Sequence, residues 1–357
     1  MMMNKAKKSW NLILNNNYKP IVTLIITTYN EAIVIKSKLK DIQKIDYPDN
    51  KLHVILIDSA STDGTLDVCK DFLKKDNLRF PIELLSEKER LGKSHALNTA
   101  LEHAKGEIIA TSDADSFWEP TAIRKAISFF ADPSIGAITG REELINLKKN
   151  IHTLSEGVYR KFYYILRLGE SKVHSTILFQ GELSLYRREA FENFEDRPGY
   201  SDDTGTVINL ISKGYRCLFI PDAVFHDTTA FSLRGRLTLK SRRAQHVIAG
   251  VMQSLGLKIR GKFPIPSVIV LFNFYMHVIS PLLLLSIAIV GSIIMVLKIQ
   301  TFWYLIPLVV LFLIFNKSRF FIISYLTGNI ALFIGLMRYF TGQKEVTWRK
   351  IEEMRAR

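Results

Sequence analysis

Four short apolar runs punctuate the first 130 residues, at 21–27, 52–57, 82–85 and 108–112. Each is followed by a polar cluster and then by a stretch in which apolar residues recur every three or four positions, ending near 42, 73, 104 and 130. An unbroken apolar run of that length predicts a strand buried on both faces, and the periodic stretch predicts an amphipathic helix. The alternation therefore predicts an α/β fold with a mainly parallel, doubly wound sheet. Ligands in such sheets bind beyond the carboxyl ends of the strands, where these polar clusters fall.

After Ile138 the alternation becomes less regular. The spacing predicts a helix over 151–168, rich in Tyr and Arg, then strand, turn and strand over 177–188. A further helix runs through Lys213 with Gly214 as its C-cap, and a last strand spans 217–220 and ends at Pro221. The pattern then changes. Residues 263–297 contain no Asp, Glu, Lys or Arg, and two more uncharged runs follow at 301–315 and 320–337. A straight helix of the first run's length would span about 50 Å, against about 30 Å of hydrocarbon. Pro264, Pro266 and Pro281 predict a division into an interfacial piece, 266–276, and a crossing piece, 279–297.

The formal charge of +14 is compatible with nucleic acid, but Lys and Arg are scattered and are not interleaved with aromatic residues. A basic face toward anionic lipid suits the apolar tail better, and no nucleic-acid partner is expected. Cys69 and Cys217 lie far apart in predicted elements and read as small buried residues. The first ten residues carry lysines but no apolar run long enough for a secretory leader, so no cleaved signal peptide is expected. No Gly-x-Gly-x-x-Gly follows the first strand and no P-loop pattern is present, which removes the main support for a dehydrogenase or a P-loop nucleotidase.

Asp113-Ala114-Asp115 closes the fourth predicted strand. Two hard oxygen donors at a strand end suit Mg²⁺ or Mn²⁺ carrying a diphosphate, and they equally suit a turn. Asp58, Asp63 and Asp202 likewise suit helix N-termini. His226 beside Asp227 fits a structural hydrogen-bonder better than a metal ligand.

Taken in order, the motifs Thr27-Thr28-Tyr29-Asn30-Glu31, Asp58 with Ser61-Thr62-Asp63-Gly64-Thr65, Gly92-Lys93, Asp113-Ala114-Asp115, and Ser201-Asp202-Asp203 ahead of Lys213-Gly214-Tyr215-Arg216 give a more specific signal. With them the chain resembles the family 2 glycosyltransferases, inverting enzymes with the GT-A nucleotide-sugar fold, from residue 21 to about 250. The resemblance implies that Thr28, Tyr29 and Glu31 line the base and ribose pocket and that Asp58 accepts a hydrogen bond from the base. It sets Lys93 against the diphosphate, Asp113 near ribose, diphosphate or metal, and Asp115 on the metal, with Asp203 as general base. The implied donor is a nucleotide-diphospho sugar, UDP first and GDP second, giving a hexosyl or N-acetylhexosaminyl group to a lipid-linked or glycan acceptor.

Processive members carry Gln-x-x-Arg-Trp after the base motif, whereas this chain reads Lys240-Ser241-Arg242-Arg243-Ala244. Arg242 and Arg243 retain charge for a diphosphate, but the aromatic surface for a sugar is missing. This favours a single transfer over polymer synthesis; a polysaccharide synthase and an inactive membrane scaffold are the alternatives. The expected organisation is a basic segment (1–20), a cytosolic catalytic domain (21–262), an interfacial helix with membrane spans (263–341) and a basic tail (342–357). Together these predict a multi-pass membrane protein in contact with lipid, its catalytic domain in the cytoplasm.

Overall fold

A computed structural model describes residues 2–74, 78–146, 151–230, 232–297, 306–307, 309–310, 314 and 316–343. The expected basic tail, apart from its first two residues, and most of the run 301–315 lie outside them. In chain order the strands are β1 (Val22–Thr28), β2 (Leu52–Asp58), β3 (Ile82–Ser86), β4 (Ile108–Asp113), β5 (Phe117–Trp118), β6 (Ile135–Leu144), β7 (Ser184–Arg187) and β8 (Arg216–Asp227). The helices of the sheet region are α1 (Met2–Ala6), α2 (Ile35–Ile42), α3 (Thr65–Leu73), α4 (Lys93–His103), α5 (Ala122–Ile127), α6 (Ile151–Val173), α7 (Asp202–Ser212) and α8 (Leu233–Ile259). Then come α9 (Ser267–Phe274), a π turn (Tyr275–Ile279), α10 (Ser280–Leu297) and α11 (Asn316–Phe340).

The strands form one sheet in the order β3-β2-β1-β4-β7-β6-β8-β5. Strands β3, β2, β1 and β4 run parallel, as the alternation predicts. Strand β7 enters antiparallel between β4 and β6, and β6 pairs in parallel with β8. Two expectations change here. The stretch 177–188 supplies only the four residues of β7, and the segment before it is a loop running toward the carboxyl edge. Strand β8 continues through Pro221 to Asp227, because Pro221 falls where the β6 register skips from Thr139↔Phe219 to Arg141↔Val224. A residue without an N–H is tolerated at such a bulge, and Arg141 Nε donates to the Pro221 carbonyl at 2.8 Å.

Alternation along the strands feeds two cores. Val22, Leu24 and Ile26 point to one face, packing with Leu39, Phe80 and Ile123. Ile25, Ile55 and Ile57 point to the other, packing with Leu97, Val207 and Ile248. The second core does not end with the sheet region: Phe263, Ile265, Ile269, Val278 and Leu336 belong to it.

Ser267–Leu297 and Arg319–Phe340 are long and apolar enough to cross a membrane. The first is continuous, where the sequence predicts a break at Pro281. The π turn absorbs the proline: the Ser280 N–H reaches back five residues to the Tyr275 carbonyl, so the helix widens before the residue that lacks a donor. The Asn273 carbonyl accepts from His277 Nδ1 at 2.8 Å, which leaves Nε2 to accept from the Tyr163 hydroxyl of α6 at 3.0 Å.

Candidate active site

The parallel register sets three polar strand ends side by side, Thr28 opposite Asp58 and Thr27 opposite Asp113. Neighbouring strands lie about 4.8 Å apart, so these ends present a continuous polar edge. Asp58 is buried at 2 % exposure, where Thr28 Oγ1 donates to it at 3.1 Å and the Ser61 N–H at 3.0 Å. The chain turns out of β1 through Asn30 in the left-handed region, φ 55°, with its N–H on Ser61 Oγ at 2.7 Å. Glu31 is buried next to it, its N–H on Thr65 Oγ1 at 2.7 Å. Asp63 accepts from the Ala32 and Thr65 N–H groups at 3.1 and 3.0 Å, tying together the turns before α2 and α3, while Gly64 holds the N-cap position of α3 that the sequence suggested for Asp63. The Arg90 guanidinium lies 3.8 Å from the Tyr29 ring, giving a flat platform beside this edge.

Beyond β4 a cavity of about 240 Å³ opens between α6, α7, α8 and α11. Lys93, at the start of α4, projects into it with Nζ 2.5 Å from Asp113 and 3.8 Å from Asp202. Burial pulls the Lys93 ammonium down, but the Asp113 and Asp202 carboxylates outweigh it and the group is held well above its ordinary range. Asp113 is correspondingly held low, because Lys93 overcomes the cost of burial. Asp202 is pushed up to about 6 by burial, against the pull of Lys93 and with Asp203 and Asp113 adding repulsion. Asp203 is held by Ser201 and by the Thr204 N–H. A Cβ on Gly181 would lie 2.9 Å from Lys93 Nζ, 3.6 Å from an Asp202 oxygen and 3.8 Å from an Asp203 oxygen, so the missing side chain keeps this meeting point open.

Arg242 and Arg243 also line the cavity, and Arg243 donates to Glu182 at 2.7 Å. Thr28, Tyr29, Glu31 and Asp58 do not line it; they lie on the β1/β2 side of the same edge. Asp115 is half-buried just past the end of β4 and does not line the cavity. Its charge acts on Lys38 and on Asp227, whose carboxyl is pushed far up by burial and then by Asp115 and Glu182. Among the described residues no three His, Cys, Asp or Glu side chains form a closed metal cage. The residues present do fit a divalent ion that keeps outside ligands: Asp115 is a hard oxygen donor among carboxylates that repel one another, which added positive charge would relieve. His226 pairs through Nε2 with Glu119 at 2.7 Å across β5 and β8, in keeping with a structural role.

Several site residues were not singled out from sequence. Lys38 is buried beneath the Asp113–Ser116 turn, donating at 2.7 Å to both Ser112 Oγ and the Ser116 carbonyl. Its position on the apolar stripe of α2, with Ile35, Leu39 and Ile42, was the available signal. Gln180 and Glu182 reach the cavity from the loop before β7, where no periodicity marks them. At the far end of the cavity Glu156 meets Arg160, Arg236 and Lys240 at 3.2, 2.9 and 2.8 Å. Arg236, Lys240 and Arg243 recur at i, i+4 and i+7, a cationic stripe legible at helical spacing.

Residues 23–194 match the glycosyl transferase family 2 model. Over nearly its whole length, 96 % of this chain and 93 % of the other, the chain superposes on a mannosyltransferase, PcManGT from Pyrobaculum calidifontis in complex with GDP-Man and Mn²⁺. The two are 30 % identical, with a TM-score of 0.82. The chain belongs to glycosyl transferase family 2. This family 2 glycosyltransferase has the GT-A fold expected from its motifs, and its likeness to the mannosyltransferase extends past the sheet into the C-terminal helices. It is also 27 % identical over 209 residues, 57 % of its length and 50 % of the other's, to the probable glycosyltransferase YdaM of Bacillus subtilis (strain 168). It is 27 % identical over 223 residues, 60 % of its length and 47 % of the other's, to beta-monoglucosyldiacylglycerol synthase of Nostoc sp. (strain PCC 7120 / SAG 25.82 / UTEX 2576). The glycosyltransferase thus spans about half the length of these two curated relatives.

Proposed function

We propose that this glycosyltransferase moves a hexosyl group, with inversion, from a guanosine-diphospho sugar to a lipid-linked acceptor at a membrane surface. The observation that carries the reading is the composition of the cavity. Lys93, Asp113, Asp202 and Asp203 meet at one end, and a wall of it is α11, which is long and apolar enough to cross a membrane. The sequence expectation put UDP first. A GDP-Man complex that is 30 % identical over almost the full length now favours guanosine.

In this reading Thr28, Tyr29, Glu31 and Asp58 hold the nucleoside on the β1/β2 edge. Lys93 and Arg243, with Arg242, face the diphosphate, where fixed positive charge stabilises the leaving group as the glycosidic bond breaks. Asp115, with Asp113 beside it, holds Mn²⁺ or Mg²⁺, which supplies further positive charge against that leaving group. Asp203 takes the proton from the attacking hydroxyl, and Ser201 and the Thr204 N–H fix its orientation. A single base opposite the leaving group gives one displacement and an inverted anomeric centre. The catalytic domain faces the cytoplasm, and the chain crosses the membrane more than once.

Calorimetry of the detergent-solubilised protein with GDP and UDP, each with and without Mn²⁺, tests the donor assignment. GDP is expected to bind at least tenfold tighter than UDP, and only with the metal. Asp203→Asn is expected to keep GDP affinity within twofold while transfer falls at least a thousandfold. Equal loss of GDP affinity in that variant would remove Asp203 from the role of base.

A further inference from the structure

Lys38 is a charge where the fold offers a place for an apolar side chain. It lies on the stripe of α2 formed by Ile35, Leu39 and Ile42, and it is 1 % exposed. A leucine or methionine would complete that stripe without the cost of taking an ammonium out of water. The two oxygens that receive the ammonium, Ser112 Oγ and the Ser116 carbonyl, are uncharged, and they lie on either side of Asp113 and Asp115 in the chain. Asp41, Asp113 and Asp115 balance its charge from farther away.

The contacts around Lys38 close on one another. Ser112 Oγ and Ser116 Oγ lie 3.1 Å apart, and each lies 3.2 Å from the Asp113 carbonyl. Ser116 Oγ is also 3.3 Å from the Glu182 carbonyl, to which Trp118 Nε1 donates at 2.9 Å. The ammonium stands 5.2 Å from the centre of the Trp118 ring, and the Trp118 backbone N–H donates to Asp41 at 3.0 Å. Lys38 and Asp41, one turn apart on α2, therefore hold the acidic turn at Ser112, Ser116 and Trp118, while Asp113 leaves it toward Lys93 in the cavity. The spacing of the two carboxylates is set by the backbone of this turn, and ligating groups act on an ion only when held to within about 0.5 Å.

We propose that Lys38 is a positioning residue for the divalent metal: it braces the Asp113–Ser116 turn from beneath and so keeps Asp113 and Asp115 in ligating geometry. This deepens the proposed transferase reading and rests on it. The sign of the effect separates two roles. A cation near a metal site opposes the ion by charge, so a Lys38 acting only as a charge would weaken metal binding and its removal would strengthen it. A Lys38 acting through Ser112 and Ser116 gives the reverse, and its removal weakens metal binding.

The test uses the full chain in detergent and equilibrium dialysis of GDP. Two quantities are read: the Mn²⁺ concentration that half-saturates GDP binding, and the GDP affinity at saturating Mn²⁺. Lys38→Met is expected to raise the first about tenfold and to leave the second within twofold. Ser112→Ala, which removes one of the two acceptors, should raise the Mn²⁺ requirement about threefold. The combined variant should require no more Mn²⁺ than Lys38→Met alone, because both changes act on the same turn. An unchanged or lower Mn²⁺ requirement in Lys38→Met overturns the proposal. Loss of GDP affinity at saturating Mn²⁺ to the same extent also overturns it, since a lysine that merely supports the fold predicts that result. Should Lys38→Met fail to fold, Ser112→Ala decides, and an unchanged Mn²⁺ requirement there overturns the brace. Failure of the parent chain to bind GDP with Mn²⁺ is a failure of the donor reading, and is seen before any variant is compared.

Discussion

At the head of α7 two adjacent carboxylates meet different surroundings. Asp203 is oriented by Ser201 and the Thr204 N–H, while Asp202 is 15 % exposed and faces Lys93 among other acids. Its carboxyl, raised from an ordinary 3.8 to about 6, binds a proton more tightly in the folded chain than in the unfolded one. The associated stability is fully present below pH 3.8 and is lost as pH rises through 6. Asp202→Asn lacks that loss. Relative to the parent it should gain on the order of 2–3 kcal/mol at pH 8, and the gain should vanish near pH 4. Denaturant midpoints at the two pH values measure this; a gain independent of pH would show that Asp202 carries no such penalty. The pairing of Asp202 with Lys93 joins α4 and α7, more than a hundred residues apart, so no sequence spacing announces it. Lys38, by contrast, stood in plain view as a charge on an apolar stripe.

Between elements, α11 approaches α8 closely beside the site. A Cβ on Gly335 would come within 2.8 Å of the Ala244 Cβ and 2.9 Å of the Gln245 nitrogen. Ala244 occupies the place of Trp in the Gln-x-x-Arg-Trp pattern, so the departure noted in sequence has a steric counterpart: α11 fills the space an indole would need. Ala244→Trp should cost at least the 1–3 kcal/mol typical of overpacking, a fall in Tm of roughly 3–10 °C, followed by thermal unfolding in detergent. An unchanged Tm would mean that α11 leaves Ala244 uncovered. The glycine close of α7 at Gly214, φ 96°, was read from the sequence, and the cationic stripe of α8, though not singled out, lies at helical spacing. Insertion of β7 between β4 and β6 was not, because a four-residue strand buried on both faces carries no distinctive period.

For the molecule as a whole, the C-terminal helices share a core with the sheet, and the apolar surface of α10 faces outward, with Ile287 at 68 % and Val296 at 83 % exposure. Such a surface needs lipid or detergent around it. Alkaline carbonate, which strips proteins held by charge alone, is therefore expected to leave the chain in the membrane pellet despite its formal +14. Recovery in the supernatant would reduce the association to electrostatics. The sequence by itself determined the strand–helix alternation, the placing of polar clusters at strand ends, the order of family motifs and the apolar C-terminal third, because each is a local pattern set by side-chain period and chain direction. Only the tertiary structure decided that Pro281 leaves its helix unbroken, that Gly181 keeps the meeting point of Lys93, Asp202 and Asp203 open, and that α6, α8 and α11 enclose a cationic pole beside it. Those features arise from packing between segments far apart in the chain, which local periodicity does not encode.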